Sequence, residues 1–173
     1  MLSTQELEPI SLEGQAAYEC DAPETEETQA LFDLWASKSD GSELPCRTSF
    51  TPMEMKSYLD RIYIIEPIDE GRDYLIRLTG TALVAMFGVD FTGRKYSDAS
   101  MKGAQWRLPM YGKVAETQRP VIFRFKLGAI EAPRLMTENI ILPVSDKKTG
   151  DILLLGLSVI VGTYNGNGDF VEK

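Results

Sequence analysis

Residues Ile152 to Val161, ILLLGLSVIV, are apolar at almost every position. A strand of that kind has no face to give to water, so it belongs inside a sheet that is covered on both sides. The run Ile62 to Ile65 has the same character, and the two together predict the interior of one sheet. Around them lie further strand candidates. RIYIIEPI (Arg61 to Ile68) and DYLIRLT (Asp73 to Thr79), separated by DEGR, read as a hairpin. PVIFRFKLG and PRLMTENIILPV precede the final apolar strand. In the first of these, Val121, Phe123, Phe125 and Leu127 share one face, Arg124 and Lys126 take the other, and Pro120 stands before them, which predicts an edge strand with its charges outward. The expected core is thus an α+β fold with a five-stranded antiparallel sheet, its last and first strands near the middle.

Helical patterns supply the covers. Leu31, Leu34 and Trp35 fall on one helical stripe, with Phe32 beside it, and the stretch ends in SKSDGS. Short helices between the second and third strands are expected to pack over one face of the sheet. The N-terminal stripe covers the other, either within one chain or across a homodimer. TPME, Thr51 to Glu54, has a capping-box arrangement that predicts a short helix from Pro52 to about Leu59. Gln105 to Thr117 is a longer helical candidate, weakened by Pro109 and Gly112, and a short helix or turn is expected near Ser97 to Lys102. Residues 1–22 read as a mobile acidic tail, 23–164 as a single domain and 165–173 as a short C-terminal tail.

Composition removes several function classes. The chain has 173 residues and is 43% hydrophobic, enough for one sizeable core. It has no histidine, which excludes Ser-His-Asp catalysis, histidine-ligated haem and histidine phosphorelay. A net charge of −8 argues against nucleic acid as a partner. No apolar run approaches the ~20 residues of a membrane span, and the polar start MLSTQELEPI is unlike a signal peptide, so a cytoplasmic protein is expected. Cys20 and Cys46 read as unpaired thiols. Charge is uneven: residues 1–43 hold eleven acidic side chains against Lys38 alone, and residues 91–134 hold nine basic ones against three acidic ones. The basic middle is open to an anionic ligand, an acidic partner or the chain's own N-terminus.

The stretch GTALVAMFGVDFTGRKYSDAS, Gly80 to Ser100, follows a strand and turns at successive glycines. It lacks the lysine and hydroxyl of a phosphate loop. DASMKG resembles half of the cyclic-di-GMP-binding PilZ pattern, but the paired arginines that pattern requires are missing. Gly88 reads as a helix end and Gly80 as a sharp turn into that helix, with Asp90 a local turn residue before a ligand contact. Arg77, in an apolar strand, is expected to pair with Asp90 or Glu138, or to reach an anionic ligand. Arg47 leaves the same two roles open.

Strand, strand, short helices and three strands is the order of elements in PAS domains. LPCRTSFTPMEM followed by YLIRLTGTALVAMFGVDFTGR resembles a group of small stand-alone PAS-like proteins of alphaproteobacteria. Leu44, Pro45, Arg47, Phe50, Pro52, Arg77, Gly80, Thr81, Gly88, Asp90, Gly93 and the late LPVSD carry the likeness, which covers about Leu31 to Gly162. The resemblance implies a ligand cavity walled by the connecting helices. Its candidates are Arg77, Thr81, Leu83, Met86, Phe87 and Trp106, with Met110, Tyr111, Phe123, Phe125 and Asn139. The same Met-rich and aromatic set is also what an ordinary core contains. The cofactor stays unnamed, and the cysteine motif NCRFLQ of flavin photosensors is absent. The expected role is sensing or signalling through a small molecule, a protein partner or both, with a ligand-free interaction module as the alternative. No kinase, cyclase or DNA-binding segment is read in the chain, so output would pass through a partner. An enzyme using Asp90, Asp98 or Glu138 ranks last, since nothing sets an acid beside a base or nucleophile.

Overall fold

A computed structural model describes residues 17–41, 43–98, 104–127, 134–165 and 169–173, with the side chains at 104–106, 127 and 134 outside that set. In chain order the elements are β1 (Ala17–Cys20), α1 (Glu26–Lys38), β2 (Ile62–Ile68), β3 (Asp73–Thr79), α2 (Thr81–Phe87), α3 (Ala104–Thr117), β4 (Val121–Leu127), β5 (Arg134–Ser145), β6 (Ile152–Tyr164) and β7 (Phe170–Glu172). The strands form one antiparallel sheet in the order β1-β4-β5-β6-β2-β3, with β7 also paired to β6. The apolar run of β6 lies where its composition demands, between β5 and β2, with Leu154 and Leu157 fully buried.

The sheet has seven strands rather than five. Ala17–Cys20, expected in the mobile tail, pairs along β4 from Ala17 opposite Phe125 to Cys20 opposite Ile122. An uncovered β4 would leave a row of backbone donors and acceptors unpaired, and β1 satisfies them. β4 is therefore not an edge strand. The rest of the expected tail, residues 1–16, lies outside the described residues. At the other end, Phe170–Glu172 pairs with Gly162 to Tyr164, and the Phe170 ring packs 5.4 Å from that of Tyr164.

Helix α1 begins where Thr25 accepts a hydrogen bond from the Thr28 N–H, and carries Glu26 and Glu27 in its first turn and Lys38 in its last, matching the helix dipole at both ends. Its Leu31 is fully buried, Phe32, Leu34 and Trp35 pack beside it, and the Trp35 indole N–H donates to the Pro143 carbonyl at 2.8 Å. The second cover of the sheet thus comes from the same chain. Residues 52–58 form successive turns instead of the expected helix. The capping box does form, with the Thr51 N–H donating to Glu54 at 2.9 Å. However, Tyr58 and Arg61 donate to Met55 and Tyr58, three residues back, which tightens the chain and drives Met55 and Tyr58 into the core.

Across the sheet, α2 and α3 cover the opposite face. Helix α2 ends at Gly88 in the left-handed conformation, as its position predicts. Gly80 has an ordinary extended backbone; what requires glycine there is proximity, because a Cβ would lie 2.2 Å from the Asp60 carbonyl oxygen. Helix α3 runs through Pro109, which lies on its exposed side, while Met110, Tyr111 and Val114 face the sheet. Ser97 and Asp98 sit in a turn, and residues 99–103 lie outside the described set. Among the described residues no helix is long and apolar enough to cross a membrane.

Candidate functional site

Alternation along the central strands puts polar groups into an otherwise apolar face. Asn139 on β5 stands directly opposite Ser158 on β6, both toward α2 and α3. Tyr63 on β2 pairs with Gly156, where a Cβ would fall 2.1 Å from the ring, so only glycine leaves the tyrosine its seat across the sheet. On β3 a bulge decides which side chain faces inward. Ile65 pairs with Ile76 and Ile64 with Leu78, making Arg77 the extra residue and turning Thr79, not Leu78, to the interior.

These residues enclose a cavity of ≈ 30 Å³, about the share of one water in the liquid, closed on the helix side by Leu83, Phe87, Phe91, Tyr96, Arg107 and Tyr111. The Tyr96 and Tyr111 hydroxyls are 2.8 Å apart and their rings meet edge to face. Burial pushes the Tyr63 and Tyr111 phenols well above their ordinary value, so both remain protonated donors. The Arg107 guanidinium lies 5.3 Å from the Phe87 ring centre and 5.4 Å from that of Phe125. It forms no ion pair among the described residues. Thr79 Oγ1 is the one buried side-chain polar atom there without a hydrogen-bond partner.

Outside the cavity is a groove of ≈ 670 Å³. Between the end of its β2 pairing at Leu157 and the start of its β7 pairing at Gly162, β6 has no strand neighbour on that side among the described residues. The groove follows this gap, between Ala82 and Met86 of α2 and the start of α1, and shares Leu83 and Ser158 with the cavity as a common wall.

The opposite face holds a second polar cluster. Glu138, next to Asn139 in β5, is fully buried beneath the start of α1. It accepts hydrogen bonds from the N–H groups of Glu24 at 3.0 Å and Thr25 at 2.9 Å, and from the Thr28 hydroxyl. Burial alone would raise its carboxyl, but these donors outweigh it and hold the group below the usual carboxylate range. Arg124 stands 3.4 Å from Glu138 and 2.6 Å from Glu24. With Lys113 paired to Glu19, the basic middle of the chain receives acidic residues from its own N-terminal part.

Of the residues singled out from sequence, Leu83, Phe87, Tyr111 and Asn139 line the cavity, and Phe125 lies against Arg107. Met86 lines the outer groove, while Met110 and Phe123 are core residues of the same face. The Trp106 side chain is outside the described set. Thr81 is exposed. Arg77 is also exposed, and it pairs with Glu66 across the β2–β3 ladder at 3.1 Å, not with Asp90 or Glu138. Asp90 accepts from the Thr92 N–H in a local turn, and Asp98 from the Lys95 N–H. Arg124 is no outward charge but a partner of the buried carboxylate. Sequence reasoning missed Arg107, Tyr63, Tyr96, Thr79 and Ser158. Arg107 left one signal, a lone charge inside the apolar stretch WRLPMY.

An antiparallel sheet with helices on both faces and a small cavity of mixed lining beneath α2 and α3 defines an α+β fold. The chain belongs to the PAS domain family, whose match spans residues 24–159. That span takes in α1, the cavity residues, Glu138 with its partners Glu24, Thr25, Thr28 and Arg124, and β2 to β5 with the first part of β6, but neither β1 nor β7. Members are typically sensory or signalling modules. A search of curated proteins gives no match.

Proposed function

We propose that the chain is a sensory module whose signal is a small molecule held between the sheet and helices α2 and α3. One observation carries this reading: Arg107, Thr79, Asn139 and Ser158 converge on a single internal space. The Asn139 amide donates to the Thr137 hydroxyl at 3.0 Å, but the buried Thr79 hydroxyl has no partner, and a space that served packing alone would not leave it so, because a buried polar group costs free energy unless it is hydrogen-bonded. Asn139 faces this space while its neighbour Glu138 faces the other way and holds the first turn of α1. A ligand that draws on Asn139 therefore displaces the same strand backbone that positions Glu138, and α1 is the element whose docking would report occupancy to a partner protein. Binding is favoured over catalysis because neither a carboxylate nor a thiol lines the cavity among the described residues.

The small volume of the cavity favours a second reading, an interaction module whose pocket is filled by its own tyrosines. Native mass spectrometry of the gently purified full chain, set against its denatured mass, separates the two. The sensory reading predicts a retained small molecule that is lost in Ser158→Leu, which fills the cavity. A clean protein mass in the parent contradicts it.

A further inference from the structure

This inference rests on the cavity being a ligand site. We propose that its ligand is a small planar oxyanion, a carboxylate or an inorganic ion of nitrate type, bound by the guanidinium of Arg107.

The cavity contains a permanent positive charge without a counter-charge among the described residues. Arg107 is flanked by the rings of Phe87 and Phe125 and by phenolic hydroxyls, and none of these carries negative charge at neutral pH. Arg107 is half-buried, and the part of its charge that is withdrawn from water is compensated best by an opposite charge with good hydrogen-bond geometry. The planar fork of guanidinium N–H groups matches a planar two-oxygen edge. The Tyr96 and Tyr111 hydroxyls bond each other, so the protonated Tyr63 phenol is the one that adds a donor to the same space, and the unpartnered Thr79 hydroxyl adds another. Size sets the other limit. A space of ≈ 30 Å³ admits an ion of formate or nitrate dimensions with a small outward shift of Leu83, the wall shared with the outer groove, and excludes nucleotides, haem and flavin unless the core is rebuilt.

The test is a titration of the isotope-labelled full chain, followed by backbone amide NMR, with sodium formate, sodium nitrate and the neutral formate analogue formamide. Ionic strength is held with sodium sulfate, whose tetrahedral anion is too bulky for the space. The amides of Thr79, Asn139 and Ser158 should shift saturably with an anion and not with formamide. A response to formate alone assigns a carboxylate, to nitrate alone an inorganic anion, and to both the shared planar edge. Arg107→Gln should weaken the responding anion by on the order of tenfold or more, the usual scale for a lost charged hydrogen bond. Thr79→Val should weaken it less, and it carries the comparison on folded protein if Arg107→Gln does not fold. Equal midpoints for formate and formamide, or an unchanged midpoint in Arg107→Gln, overturn the inference and leave a neutral-ligand sensor standing. Silence from every probe also overturns it, and the native mass then decides by itself whether the cavity binds anything.

Discussion

Replacing Glu138 by Gln removes one charge and almost no volume, so it isolates what the buried carboxylate does for α1. Glu138 is fully buried and accepts from the backbone of Glu24 and Thr25 and from the Thr28 hydroxyl, with Arg124 3.4 Å away. Hydrogen bonds to a charged acceptor contribute about 1.5 to 3 kcal/mol and neutral ones about 0.5 to 1.5, so each of the close contacts loses about 1 kcal/mol. With Arg124 also deprived of its buried partner, the total is about 3 to 5 kcal/mol, a large share of the ~5 to 15 kcal/mol that holds a domain together. The pH dependence has a definite sign. A carboxyl depressed in the folded state contributes stability that is complete above its ordinary value of ~4.3 and is lost as pH falls through the lower folded value. The parent should therefore weaken steeply in that acid window, and Glu138→Gln should start weaker and lack this component. Urea unfolding in a Trp106→Phe background, read by the fluorescence of Trp35 on α1, measures both. A Gln variant within about 0.5 kcal/mol of its parent at neutral pH would refute the reasoning, since that is the range of an uninvolved surface substitution.

Arg124→Ser should cost about 1 to 3 kcal/mol in chemical denaturation by leaving the buried carboxylate short of a charged partner, whereas Arg77→Ser, which loses only an exposed pair with Glu66, should cost under about 1 kcal/mol. Leu83→Ala should destabilise by about 2 to 5 kcal/mol and join the cavity to the outer groove, seen as faster hydrogen exchange at Ser158 than the stability loss explains. Gly156→Ala should cost about 1 to 3 kcal/mol and shift the Tyr63 ring resonances, because the added methyl occupies the ring's seat. Trp35→Ala should lower the melting point by a loss of about 3 kcal/mol without changing the mass in light scattering, since its packing contacts lie within one chain.

The central strands and α1 were legible because their side-chain periods run over enough residues to state which face is buried. The strands Ala17–Cys20 and Phe170–Glu172 were not: four and three residues are too few for a period, and pairing with a neighbouring strand, not their own pattern, holds them. Arg124 was misplaced for a different reason. It does alternate with Phe123 and Phe125, but in a sheet covered on both faces the far side is a second core, not solvent, so the charge there meets Glu138. In the cavity, Leu83, Phe87, Tyr111 and Asn139 followed from the order of elements. Thr79 did not, because a bulge at Arg77 reverses the alternation within β3, and nothing local in DYLIRLT marks it. Arg107 was hidden by its apolar neighbours in α3, where a charge is ordinarily assigned to solvent.

The most direct test of a ligand-occupied cavity is a crystal structure of the protein purified without denaturation or prolonged dialysis, at a resolution that shows bound water. Non-protein density touching the Arg107 guanidinium and the Thr79 hydroxyl, with Leu83 displaced toward the outer groove, is the predicted result. A single water or empty space there, with Leu83 and Tyr111 closed as they are now, would contradict the sensory reading and leave the polar cluster to packing alone.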